Sequence, residues 1–264
     1  MKKLFFTLML LWTSILVNAQ TATPPAAGDG SSGNPYQIAT AENLYWITAN
    51  NAVVPSPTQQ QRLEKFYIQT ADIDMTGIPW TPIGILIDGF NFSGNYNGQG
   101  YSISSLNVEF PLDNQIGMFG SCQGATLQNV KLVNPYVEGT NNVGALIGVS
   151  EGCSVTNCNV EGGSVLGTGS SVGGLIGNAL RTSITLTPTS VSGCNVSINV
   201  TGGASASYIG GLIGSSSYTT LQRSFANNVV NTVGAQYVGG LIGYCSNNTI
   251  SKCYSTGGSW VDRL

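Results

Sequence analysis

The sequence predicts an all-β fold: a right-handed parallel β-helix (β-solenoid) with a short N-terminal helix as a cap. Three observations lead to this prediction. A glycine-rich hexapeptide recurs at a near-constant interval, an aliphatic residue follows most copies at a fixed distance, and the composition favours strands and turns. Charged residues make up only 8% of the chain, whereas 35 of the 264 residues are glycine. Such a balance is typical of a folded repeat protein and unlike that of a disordered one.

The first 19 residues have the pattern of a secretory signal peptide. Lys2 and Lys3 precede an apolar run over Leu4–Val17, and a small-residue cleavage pattern ends at Ala19. The apolar run is shorter than the roughly 20 residues that a membrane-spanning helix needs. We therefore expect an exported protein, at the cell surface or outside the cell, without a membrane span.

Three segments are expected after the signal peptide. Residues 20–34 are rich in Pro, Ala, Gly and Ser, which predicts a flexible lead-in. Residues 35–114 are predicted to form an N-terminal cap and the first coils, because Thr40 can cap a helix over Ala41–Asn50 and short strand-like runs follow it. Residues 115–264 hold the repeats.

A glycine ends each copy of the hexapeptide, and we call these five residues the anchor glycines. The copies read QIGMFG, VGALIG, VGGLIG, IGGLIG and VGGLIG, ending at Gly120, Gly148, Gly177, Gly214 and Gly243. The intervals between them are 28, 29, 37 and 29 residues, and a seven-residue insertion within residues 181–188 explains most of the long one. One such unit cannot bury its own apolar face, so successive units are predicted to stack as parallel coils.

A second signal follows the anchor glycines at a fixed offset. Seven residues after the anchor stand Leu127, Val155, Leu221 and Ile250, and Val191 is the equivalent residue after the insertion. A polar pair and further small or apolar residues come next, which predicts a strand, a tight bend and a second strand whose inward side chains stack between coils. A β-sandwich is the alternative fold, but it does not predict the fixed offset.

The repeated Gly-Gly-Leu-Ile-Gly core resembles the GLUG motif, which is found in tandem in large secreted bacterial surface proteins. Gly33–Leu44 and Asp72-Ile73-Asp74-Met75 also resemble the usual start of that family. The resemblance covers about residues 28–264 and implies a β-helix. Ile116 stands where the motif has glycine, so residues 115–120 are expected to be a first, partly capping coil. GLUG repeats occur in adhesin-like proteins and beside IgA1-protease-type metallopeptidases, so the resemblance implies an exported module without specifying its ligand.

The residue types present exclude several functions for this chain. It contains no histidine, which excludes HExxH zinc peptidase chemistry and any Ser–His or Cys–His nucleophile. A net charge of −3 offers no basic patch for nucleic acid. No copy of the glycine-rich motif precedes a helix, as a phosphate-binding loop would require. We therefore predict no cofactor, no metal and no catalytic residue, and the chain is not expected to be an enzyme.

Asp72 and Asp74 are the best candidates for a carboxylate pair. Residues i and i+2 of a strand share one face, so the two side chains could act together in a carbohydrate-active β-helix enzyme of the polysaccharide lyase or hydrolase type. They could also offer oxygen ligands to Ca²⁺, although no calcium-binding signature accompanies them. Because the chain supplies no basic cluster, we favour a role in strand ends or turns.

Aromatic residues near the end of the sequence are candidates for a ligand-binding surface. Phe225 and Tyr254 share one repeat position, predicted to face outward at the bend, and Tyr244 lies in the same region. Stacked aromatic rings suit glycan contact, but aromatic ladders also stabilise coils. The leading hypothesis is an adhesin-like module that binds a host or matrix glycan or protein surface. The alternatives are the enzyme, a non-binding stalk, and the accessory region of a larger secreted peptidase.

The cysteines and the end of the sequence give two further expectations. Cys158, Cys194 and Cys253 hold a repeat position that Val130 and Ser224 hold in other coils, which predicts buried, unpaired thiols. The next anchor glycine is due near residue 271 or 272, counting 28 or 29 residues from position 243. The chain is therefore expected to be truncated in mid-coil, with further repeats or a sorting domain downstream.

Overall fold

The fold is that of a β-solenoid, as the sequence predicts. The structure is a computed structural model that describes residues 20–85 and 89–262. Strands account for 45% of it and helices for 6%, and the stacked parallel sheets make about seven turns. The predicted signal peptide at residues 1–19 lies outside the described residues.

Four sheets run along the solenoid, and each takes its strands from successive coils in parallel pairing. The eight-stranded sheet contains β1 (Tyr36–Ile38), β2 (Phe66–Gln69), β4 (Asn95–Asn97), β8 (Thr126–Gln128), β13 (Ser154–Thr156), β17 (Ser190–Ser192), β21 (Thr220–Gln222) and β26 (Thr249–Ser251). The eleven-stranded sheet contains β3 (Ile73–Asp74), β5 (Ser102–Ser104), β6 (Asn107–Glu109), β9 (Lys131–Val133), β10 (Tyr136–Gly139), β14 (Asn159–Gly167), β18 (Asn195–Gly202), β22 (Phe225–Ala226), β23 (Val229–Val233), β27 (Tyr254–Ser255) and β28 (Ser259–Asp262).

Two smaller sheets carry the hexapeptide. The four-stranded sheet contains β11 (Val143–Gly144), β15 (Val172–Gly173), β19 (Tyr208–Gly210) and β24 (Tyr237–Gly239). The five-stranded sheet contains β7 (Phe119–Gln123), β12 (Ile147–Glu151), β16 (Ile176–Leu180), β20 (Ile213–Ser217) and β25 (Ile242–Ser246). Each VGGLIG-type copy therefore starts in one sheet, turns a corner, and places its anchor glycine in the next.

The anchor glycines stack on one another in the five-stranded sheet. A Cβ added to Gly148, Gly214 or Gly243 would lie 2.6 Å from the carbonyl oxygen of the preceding anchor, and one on Gly177 would lie 2.8 Å from that of Gly148. The repeat needs glycine here because neighbouring backbones approach too closely for any side chain.

The aliphatic residues at the fixed offset form one inward column, as predicted. Leu127, Val155, Val191, Leu221 and Ile250 pair in register along the eight-stranded sheet. The first four are fully buried, and Ile250 is 44% exposed. Toward the N terminus the column continues through Tyr96 and Tyr67, so the core changes from aliphatic to aromatic.

The predicted tight bend lies between the eight-stranded and eleven-stranded sheets. Its second residue has a left-handed backbone in every repeat unit, with φ between 46° and 66°: Asn129, Asn157, Gly193, Arg223 and Lys252. Asparagine tolerates this conformation better than most residues because its side chain can bond locally. The bend places the two sheets at a corner and turns the next strand's first residue outward.

Two helices close the N-terminal end of the core. α1 (Ala41–Thr48) is capped by Thr40, whose side chain accepts the Asn43 N–H, and it ends two residues earlier than predicted. α2 (Gln59–Leu63) begins with a capping box between Thr58 and Gln61. Leu44, Trp46 and Ile47 of α1 are buried over the first coil, so the cap replaces the neighbour that the first coil lacks.

Two N-terminal details differ from the sequence-based expectation. Residues 20–34 are held by backbone hydrogen bonds from Thr23 N–H to Glu42 O and from Gln37 N–H to Ala27 O, which a flexible lead-in would not make. Residues 115–120 are not the first coil, because β1 and β2 already pair in parallel before them. The coils before residue 115 lie in the segment 35–114, which was predicted to contain the first coils, and they carry aromatic core residues in place of the glycine-rich copy.

Candidate interaction surface

The carboxylates of Asp72 and Asp74 lie on the outer face of the eleven-stranded sheet, on either side of the buried Ile73. Asp72 Oδ1 accepts hydrogen bonds from the Ser102 N–H (2.7 Å) and Oγ (2.9 Å). Asp74 Oδ1 accepts from the N–H (3.0 Å) and Oγ1 (2.7 Å) of Thr76. These bonds hold the pKa of both carboxyl groups below its usual value. The pair therefore ties one coil to the next and to its own turn, as the structural interpretation predicts.

Asp72 begins an outward column that crosses the eleven-stranded sheet from coil to coil. In-register pairing then brings together Ser102, Lys131, Asn159, Asn195, Phe225 and Tyr254. We call this series the outer column. Its first half is charged or hydroxylated, its middle carries two amides, and its last two members are aromatic, so its chemistry changes along the solenoid axis.

The aromatic end of the outer column is a stacked pair. The Phe225 and Tyr254 ring centroids are 5.2 Å apart with 8° between the ring planes, and Tyr254 is 54% exposed. The predicted outward placement of both residues is confirmed. Phe225 also borders an open cavity of about 280 Å³, together with Asn159, Glu161, Asn195 and Ser197.

A second aromatic group, the tyrosine cluster, lies on a different side of the solenoid. Tyr208 and Tyr237 start neighbouring strands of the four-stranded sheet, and Tyr244 belongs to the five-stranded sheet. The Tyr208 centroid lies 5.4 Å from Tyr237 and 5.0 Å from Tyr244. Tyr244 thus does not join Phe225 and Tyr254. Tyr208 is not among the residues predicted for the ligand-binding surface, although its position directly before the IGGLIG copy was a usable signal.

The thiols form two contacts between adjacent coils. Cys158 and Cys194 lie at equivalent positions on neighbouring coils, flanked by the register pairs Thr156–Ser192 and Asn159–Asn195, and both are fully buried. Burial raises the pKa of the Cys158 thiol. All six cysteines are unpaired. Of the three predicted to be buried, Cys158 and Cys194 are buried, whereas Cys253 in the last coil is only half-buried.

The second thiol contact was not predicted. Cys122 touches Cys153 across the corner between the five-stranded and eight-stranded sheets, and contact with the Cys122 thiol lowers the pKa of Cys153 to about 7. Burial raises the pKa of Cys122 itself. The contact is diagonal, so comparison of equivalent repeat positions cannot find it.

The described part of the chain has neither a membrane-spanning helix nor a cluster of metal-ligating side chains. Within residues 20–85 and 89–262, no helix is long and apolar enough to span a bilayer. Over the same residues, no three His, Cys, Asp or Glu side chains converge as a metal site would require.

Comparison with known proteins supports the fold more strongly than any activity. No family model matches the chain. It is 31% identical to halomucin of Haloquadratum walsbyi over 163 residues, which is 57% of this chain and 2% of that protein. It is 34% identical over 148 residues, 52% of this chain, to a protein of Evansella cellulosilytica provisionally named a Gly-rich membrane protein, and this stretch is 15% of that relative. The chain thus spans a small part of each relative's length.

Two solved structures share the architecture. One is a crystal structure of a candidate immunoglobulin A1 protease from Bacteroides ovatus, with a TM-score of 0.60, 17% identity, and coverage of 89% of this chain and 79% of that one. The other is described as an IgA1 protease, with a TM-score of 0.60, 16% identity, and coverage of 86% and 16%. Likeness at this identity establishes the fold alone. Together, the fold and the relatives fit an extracellular β-helix module.

Proposed function

We propose that the chain is an exported interaction module, adhesin-like in action, that presents aromatic side chains on the outside of a rigid solenoid to a host or matrix surface. The observation that carries the proposal is the arrangement of exposed rings on the outer faces of the solenoid, in the tyrosine cluster and at the end of the outer column. Tyr237, Tyr244 and Tyr254 are 49%, 42% and 54% exposed, and each contacts another ring. Aromatic groups with one apolar face and one polar tip are favoured in contact surfaces.

The scaffold supports this role because it fixes the rings before any ligand arrives. Each ring is attached to a strand whose backbone pairs in register with the adjacent coil. Little side-chain and backbone freedom is then left to lose on binding, which improves affinity without enlarging the contact. The candidate carboxylates Asp72 and Asp74 accept hydrogen bonds from neighbouring hydroxyl and N–H groups of the chain itself. Because these bonds give the carboxylates a structural role, they favour an interaction module over the carbohydrate-active enzyme.

The test is a binding assay with the purified protein on surfaces coated with mucin, with extracellular matrix proteins, or with epithelial cells. We expect saturable binding to at least one surface, reduced in the Y208S/Y237S/Y244S variant, in F225A, or in both. A matched control is Tyr101→Ser, which removes a tyrosine that is 38% exposed and lies outside both aromatic groups. Absence of binding to all surfaces would support the stalk, and release of oligosaccharides from a polysaccharide panel, lost in D72A/D74A, would support the enzyme.

A further inference from the structure

The cavity beside Phe225 combines an aromatic ring with neutral polar side chains. Tyr254 covers one side of the Phe225 ring, and Asn195 precedes Phe225 in the outer column, so the side of the ring toward Asn195 borders the cavity. An aromatic ring with one covered and one open side is a rigid platform, because its partner ring prevents it from turning away.

Two amide side chains, those of Asn159 and Asn195, border the cavity next to this platform. Elsewhere on the solenoid, stacked asparagines bond to each other: Asn129 Nδ2 donates to Asn97 Oδ1 (3.0 Å) and Asn141 Nδ2 to Asn114 Oδ1 (2.7 Å). Asn159 and Asn195 are also in register on neighbouring coils, but among the described residues their side chains do not bond to each other. Their amide groups can therefore offer hydrogen bonds to the hydroxyl groups of a ligand in the cavity.

The charges near the cavity cancel. Glu161, on its border, pairs with Lys131 at 3.1 Å, and the remaining polar groups that line it, Asn159, Asn195 and Ser197, are neutral. Lys131 is therefore already paired and adds little attraction for an anionic ligand. The volume of about 280 Å³ is slightly below the roughly 300–1,000 Å³ of small-molecule pockets, which suits one ring of a larger ligand.

From these observations we infer that the cavity is a subsite for one pyranose ring of a neutral oligosaccharide. The ring stacks its apolar face on Phe225, and its hydroxyl groups bond to Asn159, Asn195 and Ser197. This inference rests on the proposed function and narrows it to a ligand class and a location.

The experiment is titration of the purified protein with cello-, manno-, galacto- and chitohexaose, with oligogalacturonate as the anionic comparator, by calorimetry and NMR. We expect at least one neutral hexaose to bind, oligogalacturonate to bind more weakly, and affinity to fall about tenfold in F225A. F225L, which retains apolar volume but lacks the flat face, should lose affinity to a similar extent, which separates loss of stacking from loss of folding. Tyr101→Ala, which lies outside both aromatic groups and is 38% exposed, should leave affinity within about twofold.

Four results would overturn the inference. They are equal affinity of F225A and F225L with the wild type, loss of affinity in Y101A alone, preference for oligogalacturonate, or no binding of any neutral hexaose. If the hexaoses fail but the protein still binds mucin, matrix or cells, the subsite is wrong and the proposed function stands. If the protein binds none of these, both are wrong.

Discussion

Gly177 lies directly over Gly148, and a Cβ on Gly177 would come within 2.8 Å of the Gly148 carbonyl oxygen and 2.5 Å of the Val143 nitrogen. Neither contact involves a side chain that could move aside. Both glycines have backbones outside the left-handed region, so the requirement for glycine here is one of space.

We therefore expect Gly177→Ala to lower the free energy of unfolding by at least about 2 kcal/mol, because two coils must separate to admit the methyl group. The measurement is urea denaturation followed by circular dichroism. Gly33→Ala is the matched control, since a Cβ there meets nothing within 4 Å, and its effect should stay within about 0.5 kcal/mol. Similar stability of the two variants would contradict the stacking of the anchor glycines.

Arg62 is fully buried, and no carboxylate among the described residues pairs with it. Its guanidinium donates to the carbonyl oxygens of Ala49, Val54 and Pro57 and lies 5.3 Å from the Trp46 ring centroid. Replacement by methionine keeps the apolar stem but leaves three carbonyl groups without their donor, so we expect a loss of about 3 kcal/mol in the free energy of unfolding.

The same denaturation experiment tests Arg62, with Arg223→Met as its control. Arg223 is exposed and donates one bond, to Ser192 Oγ at 3.0 Å, so its replacement should change stability by less than about 0.5 kcal/mol. Full stability of R62M would mean that the cap is held by α1 and α2 packing alone.

The thiols should react in the order of their exposure. Cys245 is exposed and Cys253 half-buried, whereas Cys122, Cys158 and Cys194 are fully buried. Brief treatment of the native protein with N-ethylmaleimide should modify Cys245 first, and mass spectrometry of peptides should find the three buried thiols unmodified until urea is added. Equal modification of Cys158 and Cys245 in the native state would show that the coils open readily.

Asp72 should contribute to stability in a pH-dependent way. The hydrogen bonds from Ser102 lower the pKa of Asp72 in the folded protein below its ordinary value of 3.8. The contribution is therefore fully present above the unfolded-state pKa and is lost as the pH falls through 3.8 toward the folded-state value. We expect the difference in urea midpoint between wild type and Asp72→Asn to be largest near neutral pH and to vanish in acid.

Ser102→Ala supplies the control for this pH dependence. It removes the hydroxyl donor and keeps the backbone donor, so Asp72→Asn should have a smaller effect in that background. A difference in midpoint that grew as the pH fell would have the wrong sign for the proposed bonds.

Repetition explains how much of this fold was visible in the sequence. Val155 and Val191 could be placed in one inward column because they hold the same position in successive repeat units. In a parallel stack of coils, residues at the same repeat position lie next to each other. The same logic placed Phe225 beside Tyr254. It failed for Tyr67 and Tyr96, which share the aliphatic column but lie in coils without a glycine-rich copy.

The candidate site was less predictable because it depends on contacts between different repeat positions. Tyr208 meets Tyr244 across a corner between two sheets, and Cys122 meets Cys153 in the same diagonal manner. The cavity at Phe225 depends on which neighbours in the outer column are small, neutral and unpaired. Corner angles and side-chain directions decide such contacts, and neither can be derived from the repeat interval.

The parallel register of the coils also has a mechanical consequence. Each repeat unit bonds to the coil before it and the coil after it, so a pulling force along the solenoid axis would be carried by one boundary between coils at a time. Extension would then proceed by release of single coils, each adding roughly 100 Å of chain at about 3.5 Å per residue. A surface protein built of such units would lengthen stepwise under shear and keep its remaining coils, with their exposed rings, intact.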